Sequence, residues 1–244
     1  MEIYVNIARE IYLSRYPTAQ FLIVAGSLIR GEGTKSSDLD ILVVFDRLGS
    51  AYRESFVFRD IMVEAFAHDL STLRYFIYNL DYHEGIPVMA TMINEGLVLP
   101  QETELSRQVK KLAREHLAEG PAPANAEKVR GMRYSISNLM DDLKDSRNRF
   151  EQIATACRLY EELAQLYFAT NRFWRGQAKS TPRVMNQYDS EFSLRFHHGF
   201  DVLFNDGDDS NLVEVAEEIL GATGGYLFEG FKVVADPAWR LEIE

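Results

Sequence analysis

The chain has 244 residues, with 26 Lys+Arg against 37 Asp+Glu and a formal net charge of −11; 46% of it is apolar, including 15 Phe, 12 Tyr and 2 Trp. That composition excludes a mainly disordered chain, which would be poorer in aromatic and branched apolar side chains. The acidic balance argues against a sequence-blind nucleic-acid binder, because phosphate binding needs a surplus of positive charge.

Ile3, Ile7, Ile11 and Leu13 recur at roughly helical spacing over 2–16, and Pro17 ends that helix. Phe21 to Ala25 reads as a buried strand stopped by Gly26. A polar stretch from Arg30 to Ser37 precedes a second strand, Asp38 to Phe45. A third is expected over Val57–Ala67, where Val57, Arg59, Ile61, Val63 and Ala65 alternate with Phe58, Asp60, Met62, Glu64 and Phe66. Segments 70–80 and 86–95 read as helices, Gly96 to Leu99 adds a short strand before Pro100, and 102–118 is a charged helix. Gly120-Pro121-Ala122-Pro123-Ala124-Asn125 cannot continue a helix, so a linker belongs there, between domains at 1–119 and 126–244. Helices are then expected near 127–149, 151–170, 184–204 and 211–229, with loops near Gly176 and Asn205–Ser210. The predicted fold class is α+β: an α+β domain followed by a C-terminal helical bundle.

A single cysteine, Cys157, excludes an internal disulfide and a Cys-based zinc centre. Lying among Ile153, Ala154, Ala156, Leu159 and Tyr160, it reads as a buried, inert thiol. Met1-Glu2-Ile3 lacks the basic opening of a signal peptide, and Phe21–Ala25 is far too short to cross a bilayer. A cytoplasmic location without membrane association is expected.

The informative segment is Gly26-Ser27, ten intervening residues, then Asp38-Leu39-Asp40 leading into an apolar strand. Residues two apart on a strand share a face, so Asp38 and Asp40 project together with carboxylates roughly 5–7 Å apart. At about 6 Å and an effective dielectric of about 20 their repulsion is about 3 kcal/mol. A divalent cation offsets that repulsion, and hard carboxylate oxygens suit magnesium, which usually retains water and substrate phosphates. Glu64 sits in the next predicted strand between Val63 and Ala65. Glutamate is seldom buried without a partner, and from a neighbouring strand it reaches the Asp pair from the side. Three carboxylates suffice to hold one or two ions, or to leave one acting as base on an incoming hydroxyl. Gly26 lets backbone approach a ligand closely, with exposed N–H groups for phosphate oxygens, and Ser27 adds a hydroxyl. Arg30 and Lys35 stand in the polar connection as counter-charges for a triphosphate. Lys35, closer to the Asp pair, is preferred, and Ser37 is assigned with it to nucleotide binding.

Gly26-Ser27, the ten-residue gap, Asp38-Leu39-Asp40 and Glu64 together resemble the signature of the polymerase-beta-type nucleotidyltransferase superfamily, over roughly residues 20–67. The layout, with a helical second half, is similar to that of antibiotic nucleotidyltransferases and of the minimal nucleotidyltransferases of toxin–antitoxin systems. The resemblance implies a small mixed sheet flanked by helices in the first domain and a substrate-binding or partner role for the second, with the active site in the cleft between them. It implies transfer of a nucleoside monophosphate from an NTP, with ATP as the expected donor, to a hydroxyl, releasing pyrophosphate. Gly26 and Ser27 would hold the triphosphate, Asp38 and Asp40 would bind magnesium, and Glu64 would be a metal ligand or the base. The expected acceptor is a small hydroxylated molecule, such as an aminoglycoside-like antibiotic. Rival readings are an AMP-transferring enzyme acting on a protein hydroxyl, and a non-catalytic nucleotide sensor. The intact Asp38, Asp40 and Glu64 count against the sensor. Monomer and homodimer are both compatible with the chain.

Other polar clusters carry less. Asp141, Asp142 and Asp145 form an acidic helix face that would attract a cation, but a solvated face interspersed with Lys144 and Arg147 explains them. His197 and His198 point about 100° apart on a helix and are poor joint ligands. The break from Trp174 to Lys179 reads equally as a substrate cover or as a helix end with an anchoring tryptophan.

Overall fold

Five consecutive apolar side chains, Phe21 to Ala25, form the strand around which the first half of the chain is organised. The computed structural model describes residues 1–241, and the chain divides into two compact units between Ala122 and Pro123. In the first unit, α1 (Glu2–Arg15) turns Ile7, Ala8 and Ile11 inward. It is followed by β1 (Phe21–Ala25), the single turn α2 (Ser27–Arg30), β2 (Leu39–Val44), β3 (Tyr52–Phe58) and β4 (Ile61–His68). Then come α3 (Leu70–Tyr75), a π-helical turn (Phe76–Asp81), α4 (Tyr82–Glu84), α5 (Val88–Glu95), β5 (Leu97–Leu99) and α6 (Glu104–Glu119). The five strands form one mixed sheet in the order β3-β4-β2-β1-β5, in which β2 and β4 run parallel and every other pair is antiparallel.

The two faces of this sheet have separate cores. Leu22, Val24, Ile41, Val43, Val63 and Ala65 pack with Ile7, Ala8 and Ile11 of α1. Phe21, Ile23, Leu42 and Val44 point the other way and pack with Leu73, Ile77, Ile93 and Val109. Burying each of these larger side chains contributes roughly 1.5–3 kcal/mol. Along β2, Leu42 and Val44 are fully buried whereas Asp40, on the same face, is partly exposed. The apolar cover gives way to polar side chains at that end of the row.

The single strand expected over 57–67 is instead a hairpin. Arg59 (φ 48°) and Asp60 (φ 64°) reverse the chain, and Phe58 pairs with Ile61. Two successive positive φ angles are what a two-residue hairpin of the type I′ class demands. With Arg-Asp in place of the usual glycine or asparagine, the alternation of side chains runs through the turn without a visible break.

The second unit is helical: α7 (Ala126–Lys144), α8 (Arg149–Thr170), α9 (Thr181–Tyr188), α10 (Ser190–Asp206) and α11 (Ser210–Gly221). Its core joins Ile136 and Met140 of α7, Leu159, Leu163 and Leu166 of α8, Phe196 and Phe200 of α10, and Leu212 and Ile219 of α11. Three expectations change here. The helix over 184–204 is broken at Asp189, where the backbone is extended (φ −151°, ψ 100°) and the side-chain carboxylate caps α10 by accepting from Phe192 N at 2.9 Å. The helix over 211–229 stops at Gly221, and Gly224 and Gly225 adopt positive φ. The residues beyond form a strap along α7, where Arg133 donates to the carbonyls of Gly224 and Gly225 and Leu227 N donates to Ser137 Oγ. Tyr134 stacks on Phe231 with ring centroids 3.8 Å apart. Cys157 is exposed rather than buried, because helical periodicity turns its neighbours Ala156, Leu159 and Leu163 inward.

Asp81 closes the π-helical turn with a buried carboxylate that accepts from Met89 N at 2.9 Å. Burial pushes its pKa up to about 7, against the pull of backbone N–H groups from Met89 and Ala90. The folded chain holds this proton more tightly than the unfolded one. The contribution to stability is therefore full below about pH 4 and is lost as pH rises through about 7. Asp81→Asn keeps an acceptor and removes the ionisation, so chemical denaturation is expected to show the variant gaining about 2 kcal/mol on the wild type between about pH 5 and about pH 8. An identical pH dependence in the two proteins would contradict this.

Candidate functional site

Asp40 enters the sheet one residue after β2 begins. Its Cα partners are Ala25 on β1 and, across the parallel pairing, Glu64 on β4. Partners on adjacent strands stand about 4.8 Å apart and share a face, so register alone sets the two carboxylates side by side. Asp38, just before β2, joins them. One carboxylate oxygen from each of Asp38, Asp40 and Glu64 lies within 4.8 Å of the others, and all three residues are partly exposed. At that spacing each pair of charges repels by about 3–4 kcal/mol at an effective dielectric of about 20. Three hard oxygen donors with access to solvent match the needs of a divalent cation that retains water or phosphate ligands.

Gly26 is placed by this same cluster. Its backbone (φ 82°, ψ −172°) lies in a region nearly reserved for glycine, and a Cβ there would stand 2.0 Å from Asp40 Oδ2 and 2.9 Å from its Cγ. The carboxylate of Asp40 thus fills the space a side chain would need. Ser27 opens α2, and its Oγ donates to Ser37 Oγ at 3.2 Å, while Ser37 Oγ accepts from Thr34 N at 2.9 Å. These bonds join the two ends of the connection between α2 and β2. Lys35 is exposed in that connection. Arg30 is directed elsewhere: it ion-pairs with Glu32 at 2.8 Å and with Glu95 at 3.0 Å.

The residue that sequence reasoning missed is Arg53. It lies on β3, most of which falls before the strand expected over 57–67, and its guanidinium ion-pairs with Glu64. Glu64 thereby has the partner its placement required.

In the second unit His197, Asp141 and Trp174 have structural partners. His197 bonds the Ser193 carbonyl through Nδ1 at 2.6 Å and meets Tyr160 OH through Nε2 at 3.1 Å, whereas His198 is exposed. Asp141 accepts from Tyr226 OH in the strap. Trp174 is buried, and its backbone N–H donates to Tyr188 OH at 3.1 Å. The residues after it, Arg175 to Ala178, line a cavity of about 130 Å³ with Tyr160, Glu161, Gln165 and Phe168.

Residues 5–145 match the family described as Nucleotidyltransferase domain. No curated protein matches the chain. Among solved structures it is similar to a nucleotidyltransferase-like protein from Exiguobacterium sibiricum 255-15, at 13% identity, covering 89% of this chain and 73% of that one, with a TM-score of 0.43. Among the described residues no helix is long and apolar enough to cross a membrane.

Gly26→Ala sets a methyl group against the Asp40 carboxylate and forces an unfavourable backbone region. It is expected to cost about 1–3 kcal/mol in stability and to weaken divalent-cation binding at the three carboxylates. Thermal melts with and without manganese measure both; an unaltered melt and an unaltered manganese response would contradict the assignment.

Proposed function

The chain belongs to the nucleotidyltransferase domain family, and on that premise we propose that it moves a nucleoside monophosphate from an NTP, ATP in the first instance, to a hydroxyl group. In this transfer the acceptor oxygen bonds to the α-phosphorus, the bridging bond to the β-phosphate breaks, pyrophosphate leaves, and the acceptor gives up its hydroxyl proton. The observation that carries the reading is the convergence of Asp38, Asp40 and Glu64, whose carboxylate oxygens lie within 4.8 Å of one another. These three would hold one or two divalent ions, magnesium in our reading, whose chemistry is Lewis-acid stabilisation of charge on phosphate oxygens.

The remaining roles fall to the chain's own groups. Gly26 leaves room for Asp40 and for close approach of the polyphosphate to the backbone. Ser27 turns its one hydroxyl proton from Ser37 Oγ to a phosphate oxygen, and Ser37 then donates to Ser27 Oγ and holds it in place. Lys35 adds positive charge from the exposed connection. Glu64 takes either the position of a third ligand or that of the base that accepts the hydroxyl proton. The helical unit is assigned to acceptor recognition, on the strength of the cavity lined by Glu161, Gln165 and Gln177. A small polyhydroxylated cation suits a chain of net charge −11, which draws positive solutes toward it. The reading places the protein in the cytoplasm, where NTP and magnesium are abundant.

Pyrophosphate release from ATP and magnesium over a panel of aminoglycosides and other polyols tests this. Asp38→Ala and Asp40→Ala are each expected to cut turnover by about 10²–10³-fold or more. Turnover that survives the double substitution would remove these residues from the site. Labelling of a lysate protein, with no panel compound labelled, would move the acceptor class to protein hydroxyls. Glu64→Gln separates its two roles: unchanged manganese affinity with lost turnover identifies a base, and loss of both identifies a ligand.

A further inference from the structure

Arg53 and Glu64 lie on neighbouring antiparallel strands, where Glu64 is partnered by Ser55 and Arg53 by Phe66. The two are thus diagonal neighbours on one face, within reach of long side chains. The guanidinium ion-pairs with Glu64, and its Cζ stands 5.2 Å from the centre of the Phe66 ring. The Arg53 side chain is 61% exposed while that of Glu64 is 17% exposed. A cation on a solvent-facing edge strand thus reaches inward to the more enclosed carboxylate of Glu64.

We propose that Arg53 is a resident counter-ion of the carboxylate cluster that competes with divalent metal for Glu64 and must leave it when a metal ion binds there. The inference rests on the metal-site reading above. A guanidinium and a divalent ion both draw on the same carboxylate oxygens, so occupancy by one weakens the other. Without metal, the guanidinium offsets part of the repulsion among Asp38, Asp40 and Glu64 and keeps the cluster assembled. With metal bound to Glu64, the guanidinium is released at the exposed edge beside the cluster, where its planar fork suits phosphate oxygens. Arg53 is a positioning residue in this scheme: it acts through Glu64.

Arg53→Met keeps an unbranched stem to lie on Phe66 and removes the charge. Manganese binding, followed by calorimetry without nucleotide, is expected to tighten roughly 1.5-fold to fivefold in Arg53→Met, the range for an ion pair with one well-exposed partner. The gain is expected to vanish in the Glu64→Gln background, and Arg53→Lys to fall between. The melting temperature without metal should drop in Arg53→Met, while the rise produced by manganese should grow. A merely structural arginine would lower the melt and leave manganese affinity unchanged or weaker, which would overturn the proposal, as would an equal gain in the Glu64→Gln background. The metal-site reading fails separately: wild-type manganese affinity that is absent, or indifferent to Asp38→Ala and Asp40→Ala, removes that reading and this one with it. Manganese bound through Asp38 and Asp40 but insensitive to Arg53 removes this one alone.

Discussion

Three carboxylates held within 4.8 Å of one another repel by several kcal/mol, and the first unit is built so that they cannot move apart. Asp40 is pinned between β1 and β4, and Glu64 between β2 and β3. The parallel pairing of β2 with β4 is the essential element. A slip of one residue would turn Glu64 to the α1 side and bring Val63 or Ala65 to the polar face. Such a slip is opposed by the burial of Val63, Ala65, Ile41 and Val43 against α1. Apolar packing on one face therefore maintains an electrostatically unfavourable cluster on the other.

The same coupling explains the local backbone. Gly26 follows β1 at the point where Asp40 crosses from the neighbouring strand, and the carboxylate stands where a Cβ would be. The chain turns there into α2 and returns through a connection tied by Ser27, Ser37 and Thr34. Turn, strand end and acidic residue are one packed arrangement, and none of its parts can be altered without disturbing the carboxylates. Arg53 enters from outside it, on an edge strand, and is the member with most freedom to respond to charge.

Much of this was legible in the chain because it is local. Phe21–Ala25, Gly26-Ser27 and Asp38-Leu39-Asp40 are contiguous runs whose chemistry is evident from composition and period, and the structure brings Asp38, Asp40 and Glu64 together as their spacing suggested. The α+β class followed from strands giving way to helices. What was illegible depends on the absence of a local mark. The Arg59-Asp60 turn contains no glycine, so the end of β3 merged with β4 into one expected strand over 57–67, and Arg53 fell outside any expected element. Asp189 breaks a helix without proline or glycine. Cys157 was placed by the apolar character of its neighbours, whereas helical period, which turns it outward, decides its exposure. Arg30 was a plausible counter-charge until Glu95, sixty-five positions away, took it up. Pairings of that range are written in the fold and leave no trace in sequence spacing.

The strap along α7 bears on how the second unit is made. Arg130, Arg133, Ser137 and Asp141 lie along one side of that helix, and each bonds a residue of 224–232. Arg130 and Gly230 are 100 positions apart. During synthesis α7 emerges long before the segment that lies along it, so that side stays open to water and to other chains until nearly the whole unit has been translated. A late segment of the unit is thus what completes the first helix of the unit to appear, and contacts of such long sequence range are slow to form.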